Sequence, residues 1–298
     1  MKGETIRNLL AAFGAAFFIL VLVIMLAVWF AGKKGVFALS DTVVVVKLEG
    51  VIIDSAEVTE QLRELEDETN VKAVVLRIDS PGGSVGPSQE IYSAVKRLRK
   101  VKPVVASMGA LAASGGFYAA VAANKVVANP GTITGSIGVI VEFLNVEELL
   151  AKIGLKGRVI KSGKFKDTGS PLREMTPEEE KLLQDVINDV NSQFVAAVAE
   201  GRGLKVEEVE RIADGRVFSG AQAKGMRLVD ELGDLTDAIN LSAKLAGITG
   251  RPNVVYPEKK GMGLIRTLLD SDAAGKLTEI LSGAGDMRVM YIMRAPAR

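Results

Sequence analysis

The sequence predicts an α/β domain built on a parallel sheet, carried behind one hydrophobic N-terminal segment. Three observations predict it. Short runs rich in β-branched residues alternate with segments of helical period from Thr42 to Ala128, the pattern of βαβ packing. Hydrophobic residues make up 48% of the 298 and charged residues 24%, enough for a sizeable core. Residues 9–31 carry no charge at all.

That charge-free run, from Leu9 to Ala31, includes Phe17 to Leu26 without a polar interruption. As a helix it would span roughly 34 Å at about 1.5 Å per residue, the thickness of a bilayer's hydrocarbon core. It exceeds the apolar stretch of a cleaved leader, so a retained anchor over residues 1–32 is expected. Lys2 and Arg7 precede the run and Lys33 and Lys34 follow it, so charge does not set its orientation. A linker follows over 33–41. Thr42–Leu48 then reads as a buried strand, Val58–Glu68 as a helix, and Ala73–Ile78 as a second strand. Pro87–Lys100 has helical spacing. Pro103–Ala106 is a third strand, Ser114–Ala123 a small-residue helix, and Lys125–Ala128 a further strand. Thr176, Pro177 and Glu179 form a capping-box pattern that opens a helix to about Glu200. The folded domain is expected over 42–250. A tail over 251–298 has no assigned role and contains a helical stretch, Leu264–Ile280.

Composition excludes several chemistries. There is no cysteine and no histidine. That removes disulfides, thiol nucleophiles, the Ser-His-Asp triad and histidine-based zinc sites. A hydrolase of this composition must use Lys, Asp, Glu or a carboxylate-held metal as base. The net charge of +1 gives no basic bias, so no nucleic-acid partner is expected.

Three segments could carry chemistry. Asp79-Ser80-Pro81-Gly82-Gly83-Ser84 follows a strand and precedes a helix, and paired glycines can turn amide N–H groups toward an oxyanion. Ser114-Gly115-Gly116 follows a tight small-residue stretch. Ser114 there is either an exposed nucleophile, with the Gly115 N–H beside it, or only a helix cap. Lys161 to Pro171 holds three lysines in six residues, Lys161, Lys164 and Lys166, which is either a solvated loop or a loop supplying one lysine base. Asp167-Thr168-Gly169-Ser170 also spells the aspartic-protease signature. Those enzymes pair two such aspartates, and this chain holds a single copy.

Taken in order, these segments resemble the signal peptide peptidase A family, Ser-Lys proteases of bacterial and some archaeal membranes. The resemblance rests on DSPGGS (79–84), SMGALAASGGFYAA (107–120), ANPGTITGSIGVI (128–140), KSGKFKDTGSP (161–171), MTPEEEKLLQ (175–184) and DGRVFSGAQAKGMRLVDELG (214–233), and runs from about Val43 to Ala246. Length and single-copy motifs match the half-length form. The resemblance implies a caseinolytic-protease/crotonase-like spiral of ββα units. It implies Ser114 as nucleophile, Lys166 as general base and Ser136 as the hydroxyl holding the lysine amine. It gives Gly83 and Gly115 as oxyanion-hole amides, with no metal and no cofactor. It further implies peptide substrates such as signal-peptide remnants, a catalytic domain outside the cytoplasm, membrane lipid around the anchor, and a homo-oligomer in which one subunit's lysine serves its neighbour's serine. Two other readings compete: an acyl-CoA enzyme of the crotonase type, independent of Lys166, and a membrane scaffold that would tolerate loss of Ser114.

Overall fold

The structure, a computed structural model, describes residues 14, 17–25, 41–257 and 290–292. The expected anchor therefore lies mostly outside the described residues, as does the helical stretch 264–280. Residues 17–25 are helical, with apolar side chains open to solvent. No helix among the described residues is long and apolar enough to cross a membrane.

The body is a mixed α/β fold with a largely parallel sheet. Strands β1 (Thr42–Glu49), β2 (Val71–Ser80) and β4 (Val104–Ala113) run parallel at its centre, with β3 (Gly82–Ser84) set apart from them. The first part of β4 pairs with β5 (Lys125–Ala128), its end with β6 (Ile133–Gly135). β7 (Val217–Ser219) runs antiparallel to β6, β8 (Glu231–Leu232) pairs with β5, and β9 (Asn253–Val255) borders β1. The β-branched run of β1 has a direct cause. Val44, Val46 and Leu48 face one core and Val43 and Val45 another, so both faces are covered, as parallel sheets require.

Helices α1 (Ala56–Asp67), α2 (Val85–Leu98) and α3 (Gly115–Ala120) line the larger core. A short α4 (Glu147–Lys152) has no buried residue. α5 (Pro177–Arg202) begins with the predicted box: the Thr176 hydroxyl accepts from the Glu179 N–H, and the Glu179 carboxylate accepts from the Thr176 N–H. It ends at Gly203 in the left-handed conformation. α6 (Val206–Glu210), α7 (Gly220–Gly225) and α8 (Leu235–Leu245) follow, and α8 covers the second core.

Two differences from the sequence expectation bear on the site. β4 runs to Ala113, well past Ala106. Its small residues look like a loop, but Ala112 pairs with Ser80 on one side and Thr134 on the other. Beyond residue 250, β9 joins the main sheet, and β10 (Met290–Ile292) pairs antiparallel with β3.

Candidate active site

The residues singled out in the sequence lie at the ends of β2, β4 and β6, apart from the lysine loop. Ser80, at the end of β2, donates its hydroxyl proton to the Gly50 carbonyl (2.6 Å) and accepts from the Gly82 N–H (3.1 Å). That fixes the turn carrying the glycine pair. The Asp79 carboxylate accepts the Leu111 N–H at 3.2 Å and ties the same turn to β4.

Ser114 follows β4 with φ 53° and ψ −118°, a conformation costly for a residue with a side chain, on the order of 1–3 kcal/mol. It makes no side-chain cap hydrogen bond, so the helix-cap reading has no support. Its own N–H donates to the Gly135 carbonyl (2.8 Å), and its carbonyl accepts from the Tyr118 N–H (2.8 Å). The residue is 1% exposed. The strain is thus held from both sides by backbone bonds.

Gly115 shows why the next residue has no side chain. A Cβ there would lie 2.5 Å from Ser88 Oγ and 3.2 Å from the Gly83 nitrogen. Gly82, at φ +96°, would place a Cβ 2.6 Å from the Gly115 nitrogen. The two glycine motifs, 79–84 and 114–116, therefore meet backbone to backbone, and the Gly115 amide sits beside the glycine pair. The same edge of β3 is paired with β10, Tyr291 opposite Gly83. Tyr291 is fully buried, its ring 5.2 Å from that of Tyr118 and 4.7 Å from that of Phe194, and its hydroxyl donates to the Val190 carbonyl (3.0 Å). Burial raises its pKa far above the usual tyrosine value.

Ser136 is a second serine at positive φ (51°), its N–H donating to the Arg216 carbonyl at 2.8 Å. It lies one residue beyond Gly135, the residue that accepts from Ser114, so the two strained serines share one stretch of β6 backbone. Ser136 opens on a cavity of about 900 Å³ that also takes in Ile140, Asn191, Asp214 and Arg216. Asn191 Oδ1 is buried there without a hydrogen-bond partner among the described residues. The hydrogen bond from Arg216 holds the Asp214 carboxyl down at about 2.

Lys166 is placed differently. It sits in the irregular segment 163–169, its backbone N–H donating to the Gly163 carbonyl (3.2 Å) and its side chain exposed. No hydrogen bond or ion pair among the described residues joins its amine to Ser114 or Ser136. Its neighbour Asp167 is held by Arg173 (Nη2–Oδ1 2.9 Å, Nε–Oδ2 3.0 Å) and by Lys161. Those partners, Arg173 first, keep the Asp167 carboxyl well below the usual carboxylate range. An aspartate so committed does not share a proton with a second one, which removes the aspartic-protease reading of 167–170.

A buried β3 edge, a strained serine and a glycine amide packed against the glycine pair meet at one end of a largely parallel α/β sheet. Residues 96–249 match peptidase family S49 and residues 38–132 match the Clp protease family. The chain belongs to peptidase family S49. It is 51% identical over 182 residues to a candidate protease of Synechocystis sp., covering 61% of this chain and 66% of that one. It is 36% identical over 197 residues to a candidate signal peptide peptidase of Enterococcus faecium, covering 66% and 57%. It is 37% identical over 215 residues to Protease 4 of Salmonella typhi, covering 69% of this chain and 35% of that protein. The matched stretch thus spans under two thirds of the length of these relatives.

Proposed function

We propose that this chain is a membrane-tethered serine endopeptidase with a Ser114–Lys166 dyad, acting on extended apolar peptides such as signal-peptide remnants. One observation carries the reading: the strained, buried Ser114 is followed by a glycine amide packed against Gly82 and Gly83. In the proposed reaction the Lys166 amine takes the Ser114 hydroxyl proton as Oγ bonds to the peptide carbonyl carbon. The developing oxyanion accepts from the Gly83 and Gly115 N–H groups. The C–N bond then breaks, the lysine proton passes to the leaving amine, and water releases the acyl group. Ser136 orients the lysine amine. Because β10 holds the edge at Gly83, a peptide reaches that amide only when Met290–Ile292 releases it.

The lysine and serine meet, in this proposal, between two copies of the chain. Lys166 is exposed, and apolar side chains in and before its segment are left uncovered among the described residues, among them Leu144 (74% exposed) and Ile160 (91%). A second copy is the occupant that would cover them and bring the lysine to a serine. The charge-free run 9–31 supports a bilayer anchor over 1–32, followed by a linker over 33–41 and a peptidase body over 42–250 of the ββα-spiral type, placed outside the cytoplasm. Tethering raises the effective concentration of substrates left in the same bilayer.

A fluorophosphonate active-site label tests the nucleophile. Wild type should take the label on Ser114, and Ser114→Ala should take none. Equal labelling of both would reject the reading.

A further inference from the structure

We propose that Arg173 is the positioning residue for Lys166, a guanidinium clamp that fixes the lysine loop to the start of α5 before any partner or substrate arrives. The inference rests on Lys166 being the general base. The lysine loop has no strand or helix of its own from residue 155 to residue 176; its backbone bonds are local turns and one bond from the Val146 N–H to the Pro171 carbonyl (2.8 Å), and its tie to α5 is made by side chains. Arg173 does this with its whole fork. Nε and Nη2 reach both oxygens of Asp167, the residue after Lys166, at 3.0 and 2.9 Å. Nη1 and Nη2 reach both oxygens of Glu179 at 2.9 and 2.5 Å. Nη1 also donates to the Glu174 carbonyl at 2.9 Å.

The far end of the clamp is anchored. Glu179 is 2% exposed, and it accepts from the Thr176 N–H (2.9 Å) and the Thr176 hydroxyl (3.0 Å). It is the third residue of α5, whose later turns bury Phe194, Val195 and Val198 in the core. The chain of contacts therefore runs from core helix to Glu179, to Arg173, to Asp167 and to the peptide unit of Lys166. Both carboxyls are held below the usual range, with Arg173 the first cause in each case. A lysine could not substitute: its single ammonium has no planar fork to serve two carboxylates bidentately. The neighbouring Lys164–Glu178 pair, by contrast, is exposed on both sides.

The test uses the full chain in detergent with a fluorogenic peptide, reading kcat, KM and thermal midpoint. Asp167→Asn removes the charge that pairs with Arg173 and Lys161, leaving only the weaker contacts of Arg173 to the Asp167 carbonyl (3.4 Å) and of the Thr168 hydroxyl to Glu179 (3.3 Å). The variant leaves Arg173 on Glu179, so the cap of α5 survives. Its kcat should fall about 100-fold, the scale of a ~1 Å misplacement of a catalytic group, with KM and thermal midpoint unchanged. Arg173→Gln should lose at least as much, and the pH of half-maximal kcat should move. Arg173→Ala should regain kcat, saturably, with millimolar guanidinium and not with KCl. Lys164→Ala should keep wild-type kcat. Should Arg173→Gln fail to fold, Asp167→Asn and the guanidinium titration decide. A folded Asp167→Asn with wild-type kcat, or guanidinium that restores the thermal midpoint without kcat, overturns the clamp's positioning role while a dead Lys166→Ala keeps the base. A Lys166→Ala chain that still turns over would instead overturn the base assignment.

Discussion

The serine side and the lysine side of this molecule are built from different materials. Ser114 is set by covered backbone: strand ends, two hydrogen bonds at 2.8 Å and glycines that tolerate no added carbon. Lys166 is set at the surface by ion pairs between side chains close in sequence, Asp167, Arg173 and Glu179. The difference teaches where precision comes from. Steric construction holds a strained serine at any pH the fold survives. Electrostatic construction keeps a loop in place while leaving the Lys166 side chain at the surface.

The comparison can be broken most forcefully on the serine side. Ser114→Ala should remove turnover by on the order of 10⁶-fold, the loss typical of deleting a nucleophile, with stability unchanged. Gly115→Ala forces its new methyl toward Ser88 Oγ and the Gly83 nitrogen and so displaces the amide proposed to hold the oxyanion. Its kcat should fall on the order of 10²–10³-fold, the value of one oxyanion donor. A Gly115→Ala enzyme with wild-type kcat would show that the packing of the glycine motifs is not part of the chemistry.

The next effect is on stability. Tyr291→Ala empties a fully buried ring from the cluster of Tyr92, Tyr118 and Phe194. Thermal or urea unfolding should register a loss of about 3–5 kcal/mol, the range for removing a buried aromatic side chain. A negligible loss would mean that β10 is only loosely attached to β3.

The smallest effect sharpens the lysine side and depends on pH. Asp167 and Glu179 have carboxyls lowered in the folded chain. Their contribution is present above the ordinary carboxylate value near pH ~4 and is lost only as pH falls through the lower folded values. Wild type should therefore keep its clamp well below pH ~4, whereas Arg173→Gln, which lacks the ion pairs to Asp167 and Glu179, should expose the 161–174 segment to proteolysis already at neutral pH. Identical acid profiles for the two proteins would contradict the clamp.

Much of the serine side was legible in the sequence because its signals are local. β-branched runs marked β1 and β2, and paired glycines marked the two turns that meet at Ser114. The capping box at Thr176 was legible for the same reason. The extension of β4 to Ala113 was not, since Gly109, Ala110 and Ala112 have no strand preference and the strand end is held by Ala112 pairing with Ser80 and Thr134. Nor was the role of Arg173, whose partners lie six residues to either side in a segment of no regular period. Ser80 was visible only as part of a motif; its double hydrogen bond needs the turn of Gly50. Tyr291 pairs with residues more than 200 positions earlier, a distance no local pattern reports.

The central claim is that two differently built halves make one catalytic site across a pair of chains. Mixing inactive Ser114→Ala with inactive Lys166→Ala chains tests it most directly. Where subunits exchange, some interfaces join an intact serine to an intact lysine, and partial peptidase activity should return in proportion to the mixed assemblies. No activity after demonstrated exchange, or full activity from a monomeric wild-type chain, would contradict the account and require Ser114 and Lys166 to meet within one chain.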